Sequence, residues 1–461
     1  MQYLDKLESP QLKLIHSGKV RESYKIDDKT RMLAVTDRIS SFDNVLNNYI
    51  PGKGAVLNGI TNFWFKETSD IIDNHFIETV DPNLSLVKEL EPIRVEMIVR
   101  SYLTGSMWRG YKKGKREFSG VKVEDGMQQN QKFTKPILTP TTKEEIDREI
   151  TPEEIVAEGW TNREIYEKMA EISLQLFQHG SKFLEERGII LVDTKYEFGL
   201  LDGKLILIDE IHTPDSSRFW SLDAYQKDPL KVDSIDKEYV RQWLLNNQED
   251  GKMKTVLPQK VVQEASRRYR EIYKTIVGKE IKIDLENVYD RIYKNLVKRN
   301  IIKDGYVAIV MGSPSDLNHC KSISEKLEKY NIHVEMRVVS AHKNGERILE
   351  LAQVYNNSIE PGAIIAVAGR SNGLGGALAA NLAIPVFNCP PFKDKDDIMV
   401  NVYSSLMMPS KTPAATMIDV SSAALVALRS LNLQRLKATF RQEITEIKSN
   451  LLKSDRQINQ K

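Results

Sequence analysis

The sequence predicts two architectures in one chain: an α+β region, then an α/β domain built on a doubly wound parallel sheet. Three observations carry this. The texture changes near residue 300, from short strands joined by long polar connections such as FSGVKVEDGMQQNQKFTKP to a regular alternation of strands and helices. From Gly305 the alternation runs VAIVM, a helix over 317–329, HVEMRVV, a helix over 346–355, AIIAVA, a helix over 374–382 and IPVF, the β-α-β-α-β pattern of a parallel sheet. Between Leu191 and Trp220 a hairpin pattern, LVDTKYEFGLLDGKLILIDEIHTPDSSRFW, pairs apolar runs that suit a sheet covered on each side.

At 461 residues the chain exceeds what one core usually supports. The boundaries drawn from texture are a first domain over 1–280, a helical linker over 281–303 and a second, flavodoxin-like domain over 304–461. VVQEASRRYREIYKTIV closes the first domain as an amphipathic helix, and LENVYDRIYKNLVKRN forms the linker. The last segment, from LQRLKATF onward, is a further amphipathic helix whose apolar stripe is expected to pack on a neighbour.

Lys and Arg number 66 against 64 Asp and Glu, a net charge of +2, which offers no global field for nucleic acid or a membrane surface. Small-molecule partners are expected instead. Two cysteines, Cys320 and Cys389, suggest neither a disulfide framework nor a zinc site. The start, MQYLDKLESPQLKLIH, has no apolar signal core, and no stretch approaches the roughly 18 apolar residues of a membrane helix. A cytoplasmic protein is the expectation.

Within the hairpin, Asp193, Lys195 and Glu197 stand at i, i+2 and i+4, so a strand projects all three from one face. Such a charged face inside a covered sheet is costly unless a metal or an anionic ligand shares it. The second acid is open. A two-residue turn at Asp202-Gly203 places Glu197 opposite Ile208 and puts Glu210 on the triad's face, whereas a three-residue loop puts Asp209 there.

Two other stretches carry phosphate chemistry. HSGKVRESYKI sets Gly18 beside Lys19 and Arg21 in a strand-turn-strand that suits nucleotide phosphates, and suits an ordinary surface hairpin as well. PIRVEMIVRSYLTGSMWRGY ends a strand in Arg100 and follows it with a T-G-S turn containing Ser106, a pairing that suits a phosphate monoester or a local Arg-carboxylate pair. In PILTPTTKEEID, Thr139 and Lys143 either line a pocket or belong to a proline-punctuated surface loop.

The strings PIRVEMIVRSYLTGS and LVDTKYEFG, with GKVRE, TDRISSFD and DEIHTPDSSRFW, resemble the phosphoribosylaminoimidazole-succinocarboxamide synthase family over roughly residues 10–250. The resemblance implies a two-lobed α+β ATP-binding ligase fold with ATP between the lobes. It also implies magnesium-assisted activation of the carboxylate of carboxyaminoimidazole ribotide and attack by L-aspartate. By the same resemblance Lys19 and Arg21 contact ATP phosphates, and the backbone at Arg94 and Val95 lies beside adenine. Arg100 and Ser106 hold the ribotide phosphate, Asp193 and Lys195 address the imidazole, Glu197 and Asp209 bind Mg2+, and Arg218 sits at the substrate end of the D-S-S-R turn.

In the second region each strand ends in residues a core would reject: MGSPSD, VSAHKNG and AGRSNGLGG. Three such turns converge at the carboxyl edge of a parallel sheet, where glycines admit close approach and helix amino termini receive an anion. His342, between Ala341 and Lys343, stands among them; His319, one turn beyond Asp316, is either a site residue or merely exposed.

These strings resemble the class II phosphoribosylaminoimidazole carboxylases over about 304–435, with AGRSNGLG in place of the A-G-G-A-A-H-L-P-like string of the mutases. The resemblance implies carboxylation of aminoimidazole ribotide by CO2 without ATP, biotin or metal. His342 and Lys343 then act near the transferred proton and carboxylate. Ser371, Asn372 and Gly373 border the CO2 site, and Ser313, Ser315, Asp316 and Ser340 hold the ribotide. A homo-oligomer, commonly an octamer, is also implied. MMPSKTPAAT departs from the family pattern, which has more glycine after the proline.

Overall fold

The computed structural model describes residues 2–41, 44–144, 146–232, 238–249 and 253–459; Phe42 and Asp43 of the TDRISSFD string lie outside them. The chain divides into two compact units. Unit 1 comprises Met1–Lys6 and Leu14–Ile292, and unit 2 comprises Leu7–Lys13 and Tyr293–Lys461, so a short amino-terminal stretch belongs with the second unit.

Among the described residues unit 1 holds two large antiparallel sheets and two small two-stranded ones. The first contains β1 (Lys13–Ser17), β2 (Arg21–Lys25), β3 (Thr30–Val35), β4 (Phe76–Asp81) and β5 (Leu84–Lys88), in the order β1-β2-β3-β5-β4, with helix α1 (Lys53–Glu67) between β3 and β4 in sequence. The second is built on β6 (Val95–Tyr102), β7 (Lys132–Leu138), β8 (Ile189–Leu201) and β9 (Lys204–Ile208), in the order β7-β6-β8-β9, with β10 (Ser217–Ser221) also paired to β8. Helix α2 (Gly105–Lys112) follows β6, and the long helix α3 (Arg163–Glu185) precedes β8.

β8 carries a bulge that matters for the site. Leu191 pairs with Phe219 and Asp193 with Arg218, so Val192 is an extra residue on β8. A bulge re-aims the side chains that follow it. Before it, Ile189 and Leu191 point into the main core; after it, Tyr196 and Phe198 do, packed with Phe177 and Leu184 of α3. Asp193, Lys195 and Glu197 are thereby turned to the other face.

Helices α4 (Glu238–Asn246) and α5 (Gln259–Val277) complete unit 1. α5 buries Val261, Val262, Ala265, Tyr269, Ile272 and Ile276, the stripe expected from its helical spacing. Helix α6 (Val288–Lys298) contains the boundary between the units.

Unit 2 is a parallel sheet of β11 (Tyr306–Met311), β12 (His333–Val338), β13 (Gly362–Val367), β14 (Val386–Asn388) and β15 (Ala415–Thr416), in the order β12-β11-β13-β14-β15. Helices α7 (Leu317–Glu328), α8 (Arg347–Asn356), α9 (Gly373–Asn381), α10 (Lys395–Leu406), α11 (Val420–Ser430) and α12 (Gln434–Asn459) alternate with the strands or follow them. β11 and β13 are buried along their whole length, as strands covered on both faces must be. The order reverses between β12 and β13 around β11, which opens a crevice at the carboxyl edge. Of the α12 stripe, Leu436 and Phe440 are buried, while Ile447, Leu451 and Leu452 are exposed. No helix among the described residues is long and apolar enough to cross a membrane.

Candidate active sites

In unit 1 the charged face of β8 meets that of β6, because Asp193 pairs with Arg100 and Lys195 with Ile98. Asp193 Oδ2 accepts from Arg100 Nη1 at 3.1 Å and from Arg218 Nη1 at 2.7 Å. Arg100 Nε also donates to Thr139 Oγ1 at 2.9 Å. Of the two sequence readings of Arg100, the local ion pair is what the structure shows, and the residue also lines a polar cavity. Ser106 is exposed in the first turn of α2. Gly105 before it has φ +59°, and a Cβ there would lie 2.7 Å from Arg218 Nη2, so the glycine lets the guanidinium lie against the helix start.

Lys195 Nζ donates to Glu96 Oε1 at 2.6 Å and to Glu197 Oε1 at 3.1 Å, and Lys143 pairs with the other oxygen of Glu197. Lys143 is therefore in the site rather than on a detached surface loop. Glu96 was missed in sequence, although E-M-I-V-R repeats the i, i+4 spacing of the triad on the neighbouring strand.

The turn at Asp202-Gly203 has two residues, with Leu201 opposite Lys204 and Glu197 opposite Ile208. Simple alternation would then give Glu210 to the triad's face. Instead Asp209 adopts φ +64°, which breaks the alternation as the strand ends. Asp209 is the acid whose charge acts on Glu197: burial first, and then Asp209, push the Glu197 carboxyl above its ordinary value, against the pull of Lys195 and Lys143. Burial also opposes ionisation of Asp209, but Arg21, Lys143 and Lys195 outweigh it and hold that carboxyl well below the usual range. Arg21 bonds Asp209 and lies 2.7 Å from Glu210 Oε2. Two acids with opposed shifts share one nest of cations.

The other residues expected at the nucleotide are Lys19, Arg94 and Val95. Lys19 is exposed in the turn between β1 and β2, where the Gly18 amide donates to the Arg21 carbonyl at 2.7 Å. The Arg94 carbonyl accepts from the Lys143 amide at 3.1 Å, and Val95 pairs with Thr142.

A cavity of about 180 Å³ opens on this face. Arg100, Asp193, Lys195 and Arg218 line it, with Pro214, Asp215, Ser216 and Arg241.

In unit 2 the three strand-end turns gather at the carboxyl edge. Ser313 Oγ accepts from the Ser315 amide at 3.3 Å and from its hydroxyl at 2.8 Å, and Asp316, raised by burial, follows at the start of α7. The Ser340 amide donates to Asn344 Oδ1 at 2.8 Å, closing the turn that exposes His342 and Lys343. The His342 ring lies over Gly373, where an added Cβ would come within 3.1 Å of Cε1, so the second and third turns meet. Ser371 is exposed beside them.

Asn372, expected at the CO2 site, turns inward. Its Oδ1 accepts from the Gly375 amide at 3.2 Å as the cap of α9, and its Nδ2 donates to Ser405 Oγ at 2.8 Å. Asparagine is a favoured cap, and a sequence cannot say whether such a side chain faces helix or ligand. His319 Nε2 lies 3.4 Å from Cys389 Sγ.

A family model of SAICAR synthetases matches residues 14–258, and one of AIR carboxylases matches 306–454. The phosphoribosylaminoimidazole-succinocarboxamide synthase of Bacteroides thetaiotaomicron is 45% identical over 300 residues, covering 62% of this chain and 95% of that protein. The Legionella pneumophila (strain Lens) synthase is 42% identical over 297 residues, covering 61% and 94%. Among solved structures, the SAICAR synthase of Saccharomyces cerevisiae complexed with SAICAR is 34% identical with a TM-score of 0.56, over 61% of this chain and all of that one. Fold, sites and matches together define a bifunctional enzyme of purine biosynthesis. The chain belongs to the SAICAR synthetase family and carries an AIR carboxylase-like domain behind it.

Proposed function

We propose that unit 2 carboxylates aminoimidazole ribotide with CO2 and that unit 1 joins the product to L-aspartate at the expense of ATP. The nest around Glu197 is the observation that carries the unit 1 reading. In it the terminal phosphoryl group of ATP passes to the ribotide carboxylate, leaving ADP and an acyl phosphate. The amine of aspartate then attacks the acyl carbon, an amide bond forms, and inorganic phosphate leaves with the amine's proton released. Lys19, Arg21, Lys143 and Lys195 supply the positive charge this transfer needs. Arg100 and Ser106 hold the ribotide phosphate, Asp193 and Arg218 orient the ring, and the backbone at Arg94 and Val95 borders the adenine.

Magnesium fits the donor set. Glu197 and Asp209 are hard oxygen donors whose mutual repulsion a dication relieves, and Mg2+ commonly takes one or two carboxylates with substrate phosphates and waters. When bound, it neutralises charge on the phosphates.

For unit 2, the AGRSNGLGG string and the contact of His342 with Gly373 support the carboxylase reading. The enamine-like carbon of the ribotide is already nucleophilic, so the protein has to orient CO2 and remove one proton. In this reading His342 and Lys343 take that proton and hold the new carboxylate, while Ser313, Ser315, Asp316, Ser340 and Ser371 hydrogen-bond the ribotide. A homo-oligomer is supported by apolar surface at Tyr403, Leu406 and Met407 and along α12.

The test has two stages. Purified protein is given aminoimidazole ribotide and bicarbonate, then ATP, Mg2+ and aspartate, and both products are followed. Carboxylated ribotide in the first stage is expected. If none forms, while N-carboxylated ribotide is converted, unit 2 is a mutase.

A further inference from the structure

The turn after β13 carries Ser371 and Gly373, and the residues on each side of Ser371 are fastened from behind by one helix. The Arg370 amide donates to Asn401 Oδ1, the Asn372 amide donates to Ser404 Oγ at 2.6 Å, and Asn372 Nδ2 donates to Ser405 Oγ at 2.8 Å. Asn401, Ser404 and Ser405 stand at i, i+3 and i+4 on α10, the spacing that puts three side chains on one helix face. Ser371 itself is exposed between the two gripped residues.

The turn needs such a grip. Arg370 has φ +54°, a left-handed backbone that an arginine rarely adopts and that persists only where its surroundings fix it. Asn401 comes close because residue 369 is glycine: a Cβ there would lie 3.3 Å from Asn401 Nδ2. The same Nδ2 donates to the Pro391 carbonyl at 2.6 Å, so the two ends of one side-chain amide join the turn after β13 to the turn after β14. A donor on one side and an acceptor on the other fix which way that amide points.

Helix α10 is in turn tied to the sheet. Ser405 is next to last in the helix, where carbonyls have no partner within the helix. Its carbonyl accepts instead from Asn388 Nδ2 of β14 and Thr416 Oγ1 of β15, both at 3.2 Å. Asn401 and Ser405 are 2% and 0% exposed. The bonds therefore run from the sheet through α10 to the turn, and end where the His342 ring meets Gly373.

We infer that Asn401, Ser404 and Ser405 are positioning residues of the unit 2 reaction: through the Arg370 and Asn372 backbone they set the place of Ser371 and Gly373 relative to His342. The inference rests on the carboxylase reading of unit 2 and adds to it the part of the fold that keeps the CO2 pocket in register. CO2 offers few groups to hold, so its capture depends on the walls being in place. A shift of about 1 Å in such a wall can cost about 10²-fold in rate.

The full chain with Ser404→Ala tests this, with Ser404→Thr as the variant that keeps the hydroxyl. Carboxylation is measured at a temperature where circular dichroism shows each variant folded. Ser404→Ala is expected to lower kcat about 10-fold while the KM for aminoimidazole ribotide stays within about twofold, and Ser404→Thr to recover most of that loss. Asn401→Asp is the second variant: its carboxylate still accepts from the Arg370 amide but has nothing to donate to Pro391, so a larger loss of kcat is expected. An unchanged kcat in folded Ser404→Ala or Asn401→Asp, an equal loss in Ser404→Ala and Ser404→Thr, or an effect confined to the ribotide KM would overturn the assignment. If the wild-type chain forms no carboxylated ribotide from bicarbonate but converts N-carboxylated ribotide, the carboxylase reading falls by itself. The same variants are then compared on that conversion, where the same loss of kcat supports the positioning role and a wild-type kcat overturns it. If the wild-type chain does neither, both fall.

Discussion

In unit 1, Asp193, Lys195, Glu197 and Asp209 are held by ionic partners, with Arg100, Arg218, Glu96, Lys143 and Arg21 completing the pairs. In unit 2 the crevice is made of turns: hydroxyls of Ser313 and Ser315, a ring of His342 laid on Gly373, and a helix capped by Asn372. The first site is a charge network, in which Arg21, Lys143 and Lys195 hold the Asp209 carboxyl down and burial with Asp209 pushes that of Glu197 up. The second is a backbone device in which position comes from where strands stop. Damage should spread differently through the two, and each variant below can show otherwise.

The largest effect is expected from Glu197→Gln. Removing one charge from the nest while keeping its shape should lower the ATP-dependent stage by about 10³-fold or more, on the scale of lost electrostatic stabilisation. Carboxylation should stay at the wild-type rate; a loss of both activities in a folded variant would contradict separate sites. His342→Gln is next, with carboxylation falling by about 10²-fold to 10⁴-fold, the range for a general acid or base. Here the ligase stage, fed with carboxylated ribotide, should be untouched.

A third contrast concerns acid. His75 and His212 of unit 1 are fully enclosed, and burial pushes both down to about 3. They stay neutral in the folded chain while the unfolded chain takes up protons below about 6.5, so stability falls as pH drops through that window and is recovered as it rises. Each histidine should contribute a slope of about 1.4 kcal/mol per pH unit. All five tryptophans, at 64, 108, 160, 220 and 243, lie in unit 1, so urea unfolding followed by their fluorescence reads this unit alone. His212→Gln should remove its share of the slope; an unchanged slope would show that the imidazole titrates in the folded state. The smallest effect is expected from Lys411→Gly in unit 2. Lys411 has φ +64° in the segment where the family pattern is richer in glycine, so relieving it should stabilise by about 1 kcal/mol, read as a longer half-life of carboxylase activity on heating.

The same contrast explains what could be read from the sequence. Strand periodicity put Asp193, Lys195 and Glu197 on one face, and strand ends located the second crevice, because both follow from local backbone geometry. What sequence left open came from elsewhere in the chain. Lys143 reaches Glu197 from a loop, and the Lys53 and Tyr269 that fix Asp215 lie on helices far apart in sequence. Asn372, expected to border the CO2 site, spends its side chain on the cap of α9 and on Ser405, since capping and ligand binding use the same side chain. From spacing, the choice between Asp209 and Glu210 rested on loop length, with only the resemblance favouring Asp209, and the left-handed residue that breaks the alternation gives no signal in the sequence.

That left-handed residue has a practical consequence. Because the backbone resets its phase at Asp209, the tip of the hairpin need not be conserved in length for the acid to face Glu197, provided the β8-β9 pairing persists. Asp202 and Gly203 are exposed, so a short reporter peptide inserted between them becomes a reasonable way to label the ligase half while it works.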